Sequence, residues 1–265
     1  MIILITGISS GFGRAMAERL CADGHKVYGT HRHASERIPG IEYIEADVTL
    51  DAQVENAVNH VLENEGRIDV FINNAGMGYG GPLEFAGIED ARRQMDVNWM
   101  GMVRFLHLIV PVMRKQGAGR IICFSSIGGL MGLPFQGLYS SSKFAIEGYC
   151  EALRLETRDM GIKVIVIEPG DFATSFTAKR RSCDGPEVHA AYPRYAGSLS
   201  SIEHDETTGL KPEFLADKIA RIVKSGHPAH HYVIASPLQK LAVFAKRILP
   251  SKWFAWILAV YYKLV

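Results

Sequence analysis

Short runs of β-branched and aliphatic residues recur along this chain. Each is followed by a longer stretch of helical period, and that alternation restricts the fold more than any other feature. Ile2–Thr6, Lys26–His31, Glu42–Ala46, Val70–Asn73, Arg120–Ser125 and Lys163–Ile167 read as strands. Phe12–Asp23, Ala52–Asn64, Ala91–Lys115 and Tyr139–Met160 read as helices, the third interrupted by Pro111. Strands apolar along nearly their whole length are buried on both faces, which is the habit of parallel sheets covered by crossover helices. The expectation is an α/β chain in three layers. Its 265 residues, 48% hydrophobic, suffice for one core.

The rhythm breaks at 171–212, a stretch rich in Gly, Pro, Ser, His and charge that reads as a long loop, functional or mobile. Glu213–Lys224 then reads as a helix and His231–Ala235 as a last strand. The expected division is a main domain over 1–237 and a helical extension over 238–265. In the extension Leu238, Leu241, Val243, Phe244, Ile248 and Leu249 give a helical apolar face. Pro250 ends it, and Trp253–Tyr262 is an apolar run between Lys252 and Lys263. The run is too short to cross a bilayer, which takes about 20 residues. No Asp or Glu occurs from Lys218 to the end. Two readings stay open: a helix lying in a membrane interface, or one packed over the substrate pocket or in a subunit contact.

Charge is balanced, 29 Lys and Arg against 28 Asp and Glu, so a nucleic-acid partner is not expected. Cys21, Cys123, Cys150 and Cys183 are scattered, with no disulfide or zinc spacing. The histidines show no ligand pattern with carboxylates; His227, His230 and His231 read as a surface turn, and no metal is expected. The opening Met1–Ile5 has no secretory pattern. Cytoplasmic location, with membrane association through the tail left open, is the expectation.

Thr6-Gly7-Ile8-Ser9-Ser10-Gly11-Phe12-Gly13 lies at the first strand–helix junction. Glycines there permit a tight turn and close approach of backbone to a pyrophosphate, and the helix N-terminus supplies free N–H groups. Glycines also serve ordinary turns, but this position favours a dinucleotide site in a doubly wound Rossmann sheet. At the end of the second strand the chain reads Thr30-His31-Arg32-His33. A carboxylate there would take the ribose 2′-hydroxyl of NAD; it is absent, and Arg32 can accept the 2′-phosphate of NADP. The bland alternative for Arg32 is a solvated surface residue.

Tyr139 and Lys143, one turn apart, share a helix face. A phenol has a pKa near about 10, and a neighbouring ammonium is expected to lower it, making a proton donor and acceptor for alcohol–carbonyl exchange. Such spacing also arises by chance on surfaces. Ser125-Ser126 supports the chemical reading, because a hydroxyl at the carboxyl end of a buried strand can polarise a substrate oxygen. Asn98, polar within an apolar helix, either holds a relay water or pairs with backbone.

Together these residues resemble the short-chain dehydrogenase/reductase family. The likeness spans Met1 to about Thr174. It rests on T-G-x-x-x-G-x-G, Asn73-Asn74-Ala75-Gly76, Asn98-x-x-Gly101, Ser126 thirteen positions before Tyr139, Tyr139-x-x-x-Lys143, and Pro169-Gly170 followed by Thr174. Gly128–Phe135 and Tyr139–Glu151 look most like 17β-hydroxysteroid and retinol dehydrogenases. The resemblance implies NADP(H) bound by Thr6, Gly7, Ser9, Ser10, Gly11, Phe12 and Gly13 at the pyrophosphate. Arg32, Asp47, Val48, Asn74, Ala75 and Gly76 would hold the adenosine. Pro169, Gly170, Phe172 and Thr174 would lie beside the nicotinamide. It implies Tyr139 as acid/base, Lys143 on the ribose, Ser126 on the carbonyl and Asn98 on a relay water. The implied substrate is an apolar carbonyl or secondary alcohol: a steroid, a retinoid or a long-chain keto lipid. A homodimer or homotetramer through the two long helices is implied as well. The alternatives are a reductase of a small polar carbonyl compound and a non-catalytic NADP-binding regulator. In 171–212, which the resemblance makes a substrate lid, Phe172, Phe176, Tyr192 and Tyr195 either face an apolar ligand or anchor the segment.

Overall fold

The computed structural model describes residues 1–32 and 37–265; His33 of the selector stretch lies outside the described residues. The first half alternates as the sequence predicts: β1 (Ile2–Thr6), α1 (Gly11–Ala22), β2 (Lys26–His31), β3 (Ile41–Glu45), α2 (Asp51–Glu65) and β4 (Val70–Asn73). A short β5 (Tyr79–Gly80) precedes α3 (Ile88–Met95) and α4 (Gly101–Gln116). Then come β6 (Gly119–Phe124), α5 (Gly137–Glu156) and β7 (Ile162–Pro169). The rest is α6 (Phe176–Lys179), β8 (Arg181–Ser182), α7 (Pro186–Ala191), α8 (Tyr195–Thr207), α9 (Pro212–Lys224), β9 (His231–Ile234), α10 (Pro237–Ile248) and α11 (Ser251–Tyr261).

Seven strands form one parallel sheet in the order β3-β2-β1-β4-β6-β7-β9. The chain winds outward from β1 in one direction and, after crossing to β4, in the other. The switch point between β1 and β4 leaves a crevice at the carboxyl ends of the strands. One face of the sheet is covered by α2, α4 and α5, packing Val54, Phe105 and Ile146 on Leu4 and Phe71. The other is covered by α1 and α9, packing Met16, Leu20 and Ile219 on Ile3 and Ile165. This is the single-domain, doubly wound, three-layer Rossmann architecture.

Four expectations are corrected. Pro111 does not interrupt its helix; it lies inside α4. The missing N–H deprives only the carbonyl four residues back, that of exposed His107. The predicted helix over 91–115 breaks instead at Asp96–Met100, a π-helical turn. The 171–212 segment is not a structureless loop. It folds into α6, α7 and α8, with Pro186 starting α7 and Tyr195, Ser198 and Ile202 forming the buried stripe of α8. Tertiary burial selected these helices, whose scattered Gly, Ser and His hid the period. Last, His231 is no surface turn. It begins β9 with Nδ1 2.6 Å from Glu168 Oε1 and 3.7 Å from Glu147 Oε2, so a histidine does cluster with carboxylates.

Candidate active site

The loops after β1, β2, β3, β4, β6 and β7 wall one cleft of about 420 Å³. Its floor begins at the Gly-rich turn. Gly7 has φ 74°, and a Cβ there would lie 3.0 Å from Ala75 Cα. A Cβ at Gly13 would lie 2.1 Å from the Gly7 carbonyl oxygen, so α1 can start hard against the turn only with glycine there. Thr6 Oγ1 accepts from the Asn74 and Ala75 N–H groups, both at 3.0 Å. Asn74 Nδ2 donates to the carbonyls of Thr6 at 2.9 Å and Gly7 at 3.0 Å. Thr6 and Gly13 thus stand behind the cleft and fix its shape. Gly7, Ser9, Ser10, Gly11, Phe12, Asn74, Ala75 and Gly76 line it. The first turn of α1 offers its free N–H groups beside them, a cradle for phosphate.

At one end lie Arg32, exposed on the lip, and Asp47 and Val48. Burial pushes the Asp47 carboxyl up, but it is held below the usual range. Thr49 donates to it from N at 2.9 Å and from Oγ1 at 2.8 Å, and Arg32 and Arg93 add positive charge. His31 also belongs to this wall, its Nδ1 buried and without a partner among the described residues. An orphaned donor or acceptor there fits a site made for a polar ligand such as the adenosine half of a dinucleotide.

At the other end Ser126 Oγ accepts from the Gly128 N–H at 3.1 Å and donates to the Pro169 carbonyl at 3.4 Å. Tyr139 faces the same space beneath the ring of Phe176, centroids 5.6 Å apart. The expected lowering of its pKa is reversed. Burial pushes the phenol up to about 12, against the pull of a hydrogen bond from Ser126. Lys143 Nζ donates to the Phe124 carbonyl at 2.7 Å and lies 5.6 Å from the tyrosine ring centroid. Burial lowers it to about 8. A phenol protonated at neutral pH, beside a serine hydroxyl, is set to deliver a proton to an oxygen placed between them. Of the expected catalytic residues, Asn98 is the one that the structure does not bring to the cleft wall. It is buried in the π-helical turn, its Oδ1 accepting from Met77 N at 2.8 Å and its Nδ2 donating to Met77 O and Ser142 Oγ, both at 3.0 Å.

Pro169, Gly170, Phe172 and Thr174 form the facing wall. The four lid aromatics divide. Phe172, edge-on to Phe12 at 4.9 Å, and Phe176 face the cleft. Tyr192 packs on Phe85 and Phe135, and fully buried Tyr195 on Phe135, so these two anchor the lid.

A model of the short chain dehydrogenase family matches residues 1–184. The chain belongs to the short-chain dehydrogenase family. Among its relatives, the 3-ketodihydrosphingosine reductase of Bacteroides thetaiotaomicron is 43% identical, covering 98% of this chain and 97% of that protein. The human 17-beta-hydroxysteroid dehydrogenase type 1 is 34% identical over 87% of this chain and 76% of its own, as the likeness at Gly128–Phe135 suggests. An NADPH-dependent 3-dehydrocapnine reductase of Ornithobacterium rhinotracheale is 31% identical over 94% and 93%.

For a short-chain dehydrogenase, several cleft residues have no signal in the motifs. Lys179 from α6 places Nζ 3.0 Å from Ser10 Oγ. Arg180 pairs with Glu206, their side chains 4% and 12% exposed, and Thr177 Oγ1 donates to the same carboxylate at 2.6 Å. Asp171, pushed up to about 7 by burial and by the charges of Glu206 and Asp205, shares this wall, as does Tyr262 from the chain end. Only folding of the lid and tail over the sheet brings them in.

Proposed function

We propose that the chain is an NADPH-dependent reductase of a long-chain ketone bearing an amino group beside the carbonyl, a substrate of the 3-ketodihydrosphingosine kind. The observation that carries the reading is the composition of the cleft around Tyr139. Phe172, Phe176, Ile202 and Tyr262 make it apolar, yet Asp171, Asp205 and Glu206 line it too, with Glu206 paired to Arg180 and the cations Lys143, Lys179 and Arg181 elsewhere on the wall. A hydrocarbon chain with one ammonium suits both features, and an uncharged steroid suits only the first. The 43% identical relative named for a 3-keto sphingoid substrate supports it.

NADPH would lie along Gly7–Phe12 with its 2′-phosphate at Arg32, where no carboxylate stands; the relative named as NADPH-dependent supports this choice. When bound, the nicotinamide supplies the hydride. Ser126 would hold the ketone oxygen and Tyr139, protonated at neutral pH, would give it a proton. Lys143 would bond the ribose hydroxyls. Asp171 and Glu206 would offset the ammonium and orient the carbonyl toward Tyr139. Asn98 acts from behind, fixing the Met77 loop. We place the homodimer contact on α4 and α5, the second of which exposes the large apolar side chains Phe144 and Leu155.

The test is oxidation of NADPH and of NADH with 3-ketodihydrosphingosine, its N-acetyl derivative, a plain long-chain ketone and estrone. The expected order puts the free amino ketone with NADPH first and lowers turnover of the N-acetyl form, which carries no charge. Preference for estrone, or for NADH, would overturn the reading.

A further inference from the structure

The C-terminal helices α10 and α11 are amphipathic in an unusual way, because both of their faces are apolar. The inner face packs on the body: Val243 and Phe254 are buried with Ile127, Met131 and Leu133, and Leu258 and Tyr262 join them. The outer face stays bare. Leu238, Leu241, Phe244 and Ile248 repeat at helical spacing along α10, and Trp253 and Trp256 continue the stripe on α11; all six are between 59% and 65% exposed. Scattered exposed apolar residues are ordinary, but a continuous stripe over two successive helices marks a surface that meets something.

The charges say what it meets. Every charged side chain from Lys218 onward is Lys or Arg. Lys240, Lys246, Arg247, Lys252 and Lys263 are exposed beside the stripe, and none makes an ion pair among the described residues. Of the carboxylates that reach this region from neighbouring elements, Asp205 on α8 is held by the Tyr261 hydroxyl at 2.7 Å, Asp171 accepts from Gln239 Nε2, and Glu168, which feels the charge of Arg247, is buried with Oε1 2.6 Å from His231 Nδ1. A second protein copy would set these cations against themselves. A bilayer with anionic headgroups matches both patterns, taking the apolar stripe and its tryptophans into the headgroup boundary and the cations at the phosphates. Among the described residues no helix is long and apolar enough to cross a membrane, so the contact lies in the interface plane.

We propose that α10 and α11 form a docking surface for anionic lipid membranes. The surface is continuous with the cleft: Tyr262, in the turn that ends α11, is one of its wall residues. A membrane-bound enzyme would thus hold its cleft at the lipid surface where long-chain ketones reside. That last link rests on the substrate reading above; the docking itself does not.

The experiment mixes the purified full chain with vesicles of phosphatidylcholine alone or with phosphatidylglycerol added, followed by sedimentation. Two of the three tryptophans lie on the stripe, so their emission reports contact directly. Expected are co-sedimentation with the anionic vesicles only, a blue shift, and release by high salt. Trp253→Glu/Trp256→Glu should lower the bound fraction about tenfold or more while leaving turnover of a soluble short-chain ketone unchanged. No binding to anionic vesicles would overturn the proposal, as would equal binding by the double variant. A dimer that this variant splits, without vesicle binding, would assign the face to a subunit contact instead. Vesicle binding is read without turnover, so a wrong substrate leaves this result intact.

Discussion

Lys179 Nζ on the lid helix α6 lies 3.0 Å from Ser10 Oγ in the Gly-rich turn, so the lid is tied to the phosphate cradle by a cation. A cradle built of N–H groups already favours an anion, and an ammonium over it adds a charge-assisted contact. Lys179→Ala should raise the KM for NADPH about tenfold and change kcat by less than about threefold. Steady-state kinetics check this, and an unchanged KM would show that the lysine only pins the lid.

Tyr139→Phe keeps the ring against Phe176 and removes the proton donor. The expected loss is about a thousandfold in kcat, with NADPH affinity within about twofold. Fluorescence titration of NADPH beside single-turnover rates separates the two quantities. Retained turnover would move the proton donor elsewhere.

Arg32 stands on the lip where a carboxylate would select NAD. Arg32→Asp should lower the kcat/KM ratio of NADPH to NADH by about a hundredfold, since it removes a phosphate partner and adds a repelling charge. A ratio that does not move would leave Arg93, on the same wall, as the phosphate partner.

Glu168 is buried at the end of β7, its Oε2 without a partner among the described residues, and burial pushes its carboxyl up to about 7 from 4.5. Below pH 4.5 the group is neutral folded and unfolded alike, and it costs nothing. As pH rises toward 7 the unfolded chain ionises first, so stability falls, and the full penalty is present above 7. Glu168→Gln keeps an acceptor for His231 Nδ1, now 2.6 Å from Oε1. It should leave Tm nearly unchanged at pH 5 and raise it at pH 8, by roughly 2 kcal/mol in stability. Calorimetry at the two pH values decides the matter, and a gain that shrinks with pH would refute this account.

Much of the site could be read before folding because its residues serve backbone geometry. Gly7 and Gly13 are required by contacts of a few ångströms within the first strand–turn–helix unit, and a local motif records a local constraint. Ser126, Tyr139 and Lys143 follow at fixed spacing for the same reason. Asn98 was legible as special, but its partners, Met77 and Ser142, come from a loop and a helix distant in sequence, so its role as a brace was not.

The sequence by itself determined the alternating pattern, hence the parallel sheet, and the chemistry placed at the sheet's carboxyl edge, because period and glycine placement act over a few residues. The tertiary structure alone decided the protonation of that chemistry. Tyr139 is pushed up to about 12 instead of being pulled down by Lys143, since desolvation depends on everything packed around a group and not on its neighbour in the helix. It also decided which lid and tail residues reach the cleft. Lys179, Glu206 and Tyr262 arrive there only once helices without a clear period of their own are buried against the body.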